Sequence, residues 1–250
     1  MKEILDRYKI KGILPYENRI FFIQHFYPYV FFSPYCNGKN ILEIGVGHGF
    51  GSFHLSSYAK RVVALDMDWA SIVNLRQYID RDNVGNVSCV NANGISLPFK
   101  DASFDAILLC QVIEHIPEEF LLKFVGELKR VLKTGGNCLI VTLNIEHNIK
   151  KSVLYEKWYQ HHKEFRADEL RKLLSPVFPA VKIYGLNKKW YHCFILRLKR
   201  WGFDKWLPAR LNFVKKFYEN ISCADYGIVN LPSRHSVDLY GMCSKGGICG

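Results

Sequence analysis

Short apolar runs recur along the chain from residue 40, separated by longer stretches of mixed polarity. Residues 40–44 (NILEI), 61–65 (RVVAL), 87–90 (VSCV), 104–110 (FDAILLC), 137–143 (NCLIVTL), 181–184 (VKIY) and 237–243 (VDLYGMC) are each four to seven residues long. Most are aliphatic or β-branched throughout, which predicts strands buried on both faces. The intervening segments have helical periodicity. Over 118–132, Leu121, Val125, Leu128 and Leu132 fall at i, i+4, i+7 and i+11, with Lys123, Glu127, Lys129 and Arg130 around them. That spacing makes one apolar helix face, and Thr134-Gly135-Gly136 is a C-terminal stop. Alternating strands and helices predict an α/β fold, Rossmann-like and doubly wound. Its mostly parallel, seven-stranded sheet has helices on both faces. No internal repeat interrupts the pattern.

Two segments lie outside this alternation. Residues 20–32 form an apolar, aromatic run of 13 residues broken by Gln24, His25 and Pro28. It is too short to span a bilayer and predicts a packed helix or lid within an N-terminal helical cap over 1–35. The second segment, 187–225, has a different texture and is expected as a helical insertion before the last strand, with Pro208 opening a helix. Leu207, Leu211, Val214 and Tyr218 form that helix's apolar stripe. The whole chain, 1–250, is then a single domain: cap, core over 36–186, insertion, and a last strand and tail over 226–250.

Hydrophobic residues make up 49% and charged residues 23% of 250, which suits a globule with a real core and excludes disorder along the whole chain. The net charge, +11, is the unusual quantity. Basic, aromatic-rich chains meet nucleic acid, anionic membranes or acidic small substrates. The charge is unevenly placed. Residues 187–220 hold nine Lys and Arg against Asp204 and Glu219, hence +7, together with Trp190, Trp201 and Trp206. This concentration argues against nucleic acid. It points to an acceptor lid holding phosphates or to an anionic membrane surface, beside the plainer reading of solvated helices. Eight cysteines without a CxxC pair argue against a disulfide scaffold and against zinc, and fit a reducing compartment. The first 16 residues carry charges of both signs and no apolar h-region, so the expected location is cytoplasmic, with the membrane periphery open.

The chemistry-bearing motif is Glu43-Ile44-Gly45-Val46-Gly47-His48-Gly49-Phe50-Gly51-Ser52, which follows one apolar run and precedes a helical stretch. Glycines at this spacing let the chain turn tightly and let a ligand approach the backbone. Asp66, at the end of the next strand, is placed to accept from ribose hydroxyls. ILEIGVGHGFGS resembles the first motif of class I S-adenosylmethionine-dependent methyltransferases. VVALDMD (62–68), NGISLPF (93–99), DASFDAILLCQVIEHI (101–116) and LKRVLKTGGNCLIVTL (128–143) continue the resemblance in register, over roughly 36–186.

The resemblance implies S-adenosylmethionine as cofactor and a set of roles. Gly45, Gly47 and Gly49 approach its methionine and ribose parts, and Glu43 orients the loop and the methionine amino group. Asp66 takes the ribose hydroxyls and Met67 packs on adenine. Asn93 stands where the family usually has Asp, and its amide oxygen can still accept from the adenine amine. Cys110 and Gln111 end the fourth strand beside the reactive methyl. Within the family, QVIEH…TLN…HHKEF is similar to EVIEH…TPN…HxxEF of methyltransferases from bacterial glycan and polysaccharide biosynthesis; Glu114, His115 and His161 match, Gln111 and Leu143 depart. That similarity implies a small-molecule or glycan acceptor, phosphate- or lipid-linked in one version, with a sugar hydroxyl deprotonated by His115 or His161. Two other readings stay open. One is a metal-assisted RNA 2′-O-methyltransferase using Glu114, His115 and His161 or His162, disfavoured by Gln111 where a further Glu is needed. The other is a binding module without activity. No metal is expected, and the oligomeric state is not legible.

Overall fold

The computed structural model describes residues 18–151, 155–206, 208 and 211–246. In chain order it has α1 (Asn18–Cys36), β1 (Asn40–Ile44), α2 (Phe50–Ser56), β2 (Arg61–Asp66), α3 (Trp69–Arg81), β3 (Val87–Asn91) and β4 (Phe104–Cys110). Two 3₁₀ turns, Ile113–His115 and Glu118–Phe120, lead into α4 (Leu121–Val131) and β5 (Leu132–Leu143). Then come α5 (Ile145–Lys151), α6 (Ala167–Leu174), β6 (Ala180–Lys188), α7 (Trp190–Arg200), α8 (Phe203–Trp206), α9 (Phe213–Asn220), β7 (Tyr226–Val229) and β8 (Asp238–Ser244).

The strands form one sheet in the order β3-β2-β1-β4-β5-β8-β6-β7. Pairing is parallel from β3 to β5 and antiparallel from β5 through β8 and β6 to β7. All seven predicted strands are present. The eighth, β7, is a four-residue edge strand paired to β6, Gly185 to Val229 through Lys188 to Tyr226. It follows the helices of 187–225, so that segment leads into an added edge strand and not directly into the last one. YGIV is too short and too partly buried to announce itself by apolar pattern.

Successive β1 residues diverge to opposite sides, which is why its run is apolar throughout. Ile41 joins a core with Phe22, Phe26, Phe32, Leu55, Ile72 and Leu75, from α1, α2 and α3. Leu42 joins the other core, with Phe124, Val125, Leu128, Leu170 and Leu174, from α4 and α6. The apolar run at 20–32 thus gives α1 a buried face, with Phe22, Ile23, Phe26, Tyr29 and Phe32; the rest of the expected cap, 1–17, lies outside the described residues. Residue 118 does not begin the helix as the periodicity suggests: Glu118–Phe120 is a 3₁₀ turn and α4 ends at Val131, where β5 takes over. Pro208 does not open a helix. α9 starts at Phe213, where the Asn212 side chain accepts from the Lys215 amide. Val214 and Tyr218 are buried as the stripe requires, Leu211 is exposed, and Leu207 lies outside the described residues.

Arg130 fastens the loop between β3 and β4. It donates to the carbonyls of Phe99 and Leu97 (2.7 and 3.0 Å), to Asp101 (2.8 Å) and to Glu127 (2.6 Å). Charge-assisted bonds of this kind are the strong ones, and here they hold the segment that follows Asn93.

Candidate active site

The sheet order reverses between β1 and β4, and a crevice opens there at the carboxyl ends of the strands, the place where open α/β sheets bind ligands. The cleft has a volume of about 680 Å³. Of the residues singled out in the sequence, Gly45, Gly47, Asp66, Met67, Asn93, Gln111 and His115 line it, while Glu43, Gly49, Glu114 and His161 do not.

The glycine loop makes the near wall. Gly45, Gly47 and Gly49 have φ of 78°, 48° and 80°, a region that costs other residues about 1–2 kcal/mol. A Cβ on Gly45 would lie 2.3 Å from Val112 Cγ2, which fixes the spacing between this loop and the end of β4. The Gly47 amide donates to Asp66 (3.1 Å), and the other oxygen of Asp66 accepts from the Asp68 amide (2.9 Å). Glu43 lies below the loop, fully buried. It accepts from Tyr29 of α1 (2.7 Å) and from Ser52 of α2, and burial pushes its carboxyl up to about 7. It therefore ties the glycine loop to two helices; its route to a ligand is through that loop. Gly49 caps α2 and packs on Leu75. On the far side of Asp66, Met67 is largely exposed at the rim. Asn93 turns its amide oxygen to the Ile95 amide (2.9 Å).

The opposite wall begins at Gln111, a non-glycine residue at φ 56°. Left-handed backbone at such a position is strain that the surroundings must hold: the Gln111 amide donates to Val141 (2.8 Å) and its side chain to Asp238 (3.3 Å). The next turn presents His115 to the cleft. Its Nδ1 lies 3.1 Å from the Gln160 carbonyl, an acceptor, so Nδ1 carries the proton and Nε2 keeps a lone pair. Burial holds the His115 pKa below its ordinary value, with the neighbouring His161 and His162 adding to the effect.

His161 stands behind His115, ring centroids 4.9 Å apart and nearly perpendicular. It is buried, with Nδ1 2.7 Å from Glu164, and Glu164 accepts from Tyr155 at 2.7 Å. Trp158 completes an aromatic bracket around both imidazoles, 5.9 Å from His115 and 5.2 Å from His161. Glu114 points the other way. Its carboxyl is fully buried, accepts from Thr142 (3.0 Å), and leaves Oε1 without a partner. Burial pushes it up to about 8, and its backbone carbonyl takes the His162 and Lys163 amides. The set Glu114, His115 and His161 or His162 thus does not converge on one point, and among the described residues no group of three or more His, Cys, Asp or Glu side chains is placed to hold a metal ion.

Sequence reasoning missed His25. It appeared only as a break in an apolar run, yet it lines the cleft from α1 with Phe21 and Phe22. Its Nδ1 is 2.9 Å from the Phe21 carbonyl and its ring lies 3.8 Å from the Phe21 ring. A histidine in the middle of an aromatic run was the available signal; only the packing of α1 over the crevice gives it meaning.

A glycine-walled crevice at the switch point, with an acid at the end of β2, defines a Rossmann-like nucleotide-binding fold. Comparison with known proteins specifies it further. Residues 42–140 match the methyltransferase domain family. A probable S-adenosylmethionine-dependent methyltransferase of Mycobacterium tuberculosis is 32% identical over 167 residues, 66% of this chain and 58% of that protein. Phthiotriol/phenolphthiotriol dimycocerosates methyltransferase 1 of Mycobacterium ulcerans is 27% identical over 182 residues, 72% of this chain and 60% of that protein. Among solved structures, the YcgJ protein of Bacillus subtilis superposes with a TM-score of 0.57 at 20% identity, covering 89% of this chain and all of that one. Residues 42–140 thus match a methyltransferase domain, in a chain similar over two thirds of its length to S-adenosylmethionine-dependent methyltransferases. It spans about three fifths of the length of the curated relatives it matches.

Proposed function

We propose that the protein transfers a methyl group from S-adenosylmethionine to an oxygen nucleophile of a small-molecule or glycan acceptor, and that His115 takes the acceptor's proton. The residues fit the cofactor: Gly45 and Gly47 line the cleft with bare backbone, and Asp66 offers carboxylate oxygens at the end of β2. Gly45, Gly47, Asp66, Met67 and Asn93 would hold it, with Glu43 fixing the loop from below. When bound, S-adenosylmethionine supplies an electrophilic methyl on a sulfonium. The chain's own work is alignment and proton removal.

One observation carries the assignment of the base. Nδ1 of His115 is committed to the Gln160 carbonyl, so a basic Nε2 is available at the cleft. Its lowered pKa keeps the imidazole neutral at pH 7, the form that accepts a proton. His161, held by Glu164, is a positioning residue that braces the His115 ring. The M. ulcerans relative is named for phthiotriol and phenolphthiotriol dimycocerosates, which favours an acceptor outside nucleic acid.

The test is methyl transfer from labelled cofactor to separated glycan, lipid and RNA fractions. His115→Gln is expected to lower kcat by about 10²–10⁴-fold, with cofactor affinity retained in calorimetry. His161→Ala gives a smaller loss and moves the pH profile of kcat, because it loosens the base without removing it. Wild-type turnover by His115→Gln refutes the base; no cofactor binding by the wild type refutes the activity itself.

A further inference from the structure

The insertion turns an aromatic face to solvent. On α7 and its cap, Trp190, Phe194, Arg197 and Trp201 follow at i, i+4, i+7 and i+11, one stripe of a helix. Trp190 is 79% exposed, Phe194 54% and Trp201 70%. The other side of α7 faces inward: His192 and Leu198 are buried, and Ile195 packs with Val214 and Tyr218 of α9. Phe203 and Trp206 on α8 carry the exposed aromatic surface onward. The polar face that an ordinary surface helix shows to water is therefore aromatic here. A contiguous exposed apolar surface of this kind marks an interaction site.

Charge selects the partner. Lys189, Arg197, Arg200 and Lys205 are exposed along the same segment, and 187–220 holds seven of the chain's eleven net positive charges. A second copy of the chain would bring this charge against itself. An anionic bilayer answers both features: tryptophan and phenylalanine enter the headgroup region while arginine and lysine meet lipid phosphates. Among the described residues no helix is long and apolar enough to cross a membrane, so the contact is with the surface.

We propose that α7 and α8 dock the protein on an anionic lipid surface through Trp190, Phe194, Trp201, Phe203 and Trp206, with Arg197 and Arg200 on headgroup phosphates. The docking has a consequence for the cleft. α9 and α7 pack against Ile20 of α1, and the next residue, Phe21, is exposed at the lip of the cleft. Holding the insertion at the surface holds the cleft's covering helix beside it, within reach of an amphiphilic acceptor. This last point rests on the methyl-transfer reading; the docking does not.

The test is flotation of the full chain with phosphatidylcholine vesicles prepared with and without phosphatidylglycerol. The wild type is expected to float only with phosphatidylglycerol, and less as salt rises from about 0.1 M to about 1 M, where the Debye length shrinks from about 10 Å to about 3 Å. Arg197→Glu/Arg200→Glu is expected to lower partitioning about 30-fold or more, from about fivefold per lost cation at the surface. Trp190→Ser/Trp201→Ser is expected to weaken partitioning and to reduce the blue shift of tryptophan emission on binding. Unchanged urea midpoints of both variants establish that the fold is intact. The proposal is overturned if the wild type does not float with phosphatidylglycerol, or if both variants float as well as it does. It is equally overturned if the same substitutions abolish RNA binding or self-association while vesicles go unbound. Loss of flotation with soluble-substrate methyl transfer intact separates failure of docking from failure of the enzyme.

Discussion

Glu114→Gln separates a buried carboxyl from the catalysis it borders. Glu114 is fully buried; among the described residues its Oε1 has no partner, and its other oxygen accepts from Thr142 at 3.0 Å. Burial, with Asp238 and Glu164 nearby, raises its pKa from 4.5 to about 8. In the window between those values the native state keeps a proton that the unfolded chain has lost, so stability falls as pH rises. At 1.36 kcal/mol per pH unit the loss reaches about 3 kcal/mol by pH 7 and about 5 kcal/mol above pH 8. Glutamine has nearly the same shape and no proton to lose. Urea unfolding followed by circular dichroism from pH 5 to pH 9 measures the difference between the two proteins. Near pH 5 they are expected to agree within about 1 kcal/mol, the scale of one exchanged hydrogen bond. Toward pH 8 the variant is expected to become the more stable by several kcal/mol. Glu43 also titrates in this range, but it does so in both proteins and cancels. Because Glu114 does not line the cleft, methyl transfer and cofactor affinity are expected to survive. A stability difference that does not change with pH refutes the burial argument. Loss of turnover with retained cofactor affinity refutes the structural role.

Two further substitutions test the cofactor wall. Gly45→Ala combines a left-handed residue with a Cβ 2.3 Å from Val112, so a destabilisation of about 2–5 kcal/mol is expected by urea titration. Adding Val112→Ala should recover only the steric part, and a neutral Gly45→Ala would show that the loop is not held where it is described. Tyr29→Phe removes the 2.7 Å hydrogen bond to buried Glu43 and is expected to cost about 1–3 kcal/mol. That cost should grow as pH rises past about 7, where Glu43 ionises and needs the donor more; equal cost at pH 6 and pH 8 would contradict the assignment.

The glycine motif and the acid ending the second strand were legible because each is a local necessity. A loop with φ near 80° at Gly45 and Gly49 needs glycine whatever surrounds it. Strands buried on both faces need unbroken apolar runs, so seven strands could be read directly, whereas β7 could not. A four-residue edge strand is defined by the neighbour it pairs with, and nothing in YGIV specifies that neighbour.

The sequence by itself determined the layered α/β architecture, the cofactor-type loop and the placement of charge in 187–220. These follow from residue preferences, spacing and composition, which act over a few neighbours. Only the tertiary structure decided which histidine and which carboxylate face the cleft. Glu114 and His115 are adjacent in the chain, yet one enters the core against Thr142 and the other meets the crevice. Successive side chains of the 3₁₀ turn Ile113–His115 leave it about a third of a turn apart, and only its packing against β5 and residues 158–164 sets which side is which. The structure likewise placed His25 in the wall and turned the aromatic stripe of α7 outward. The exposure of that stripe is a property of what is, or is not, packed against it.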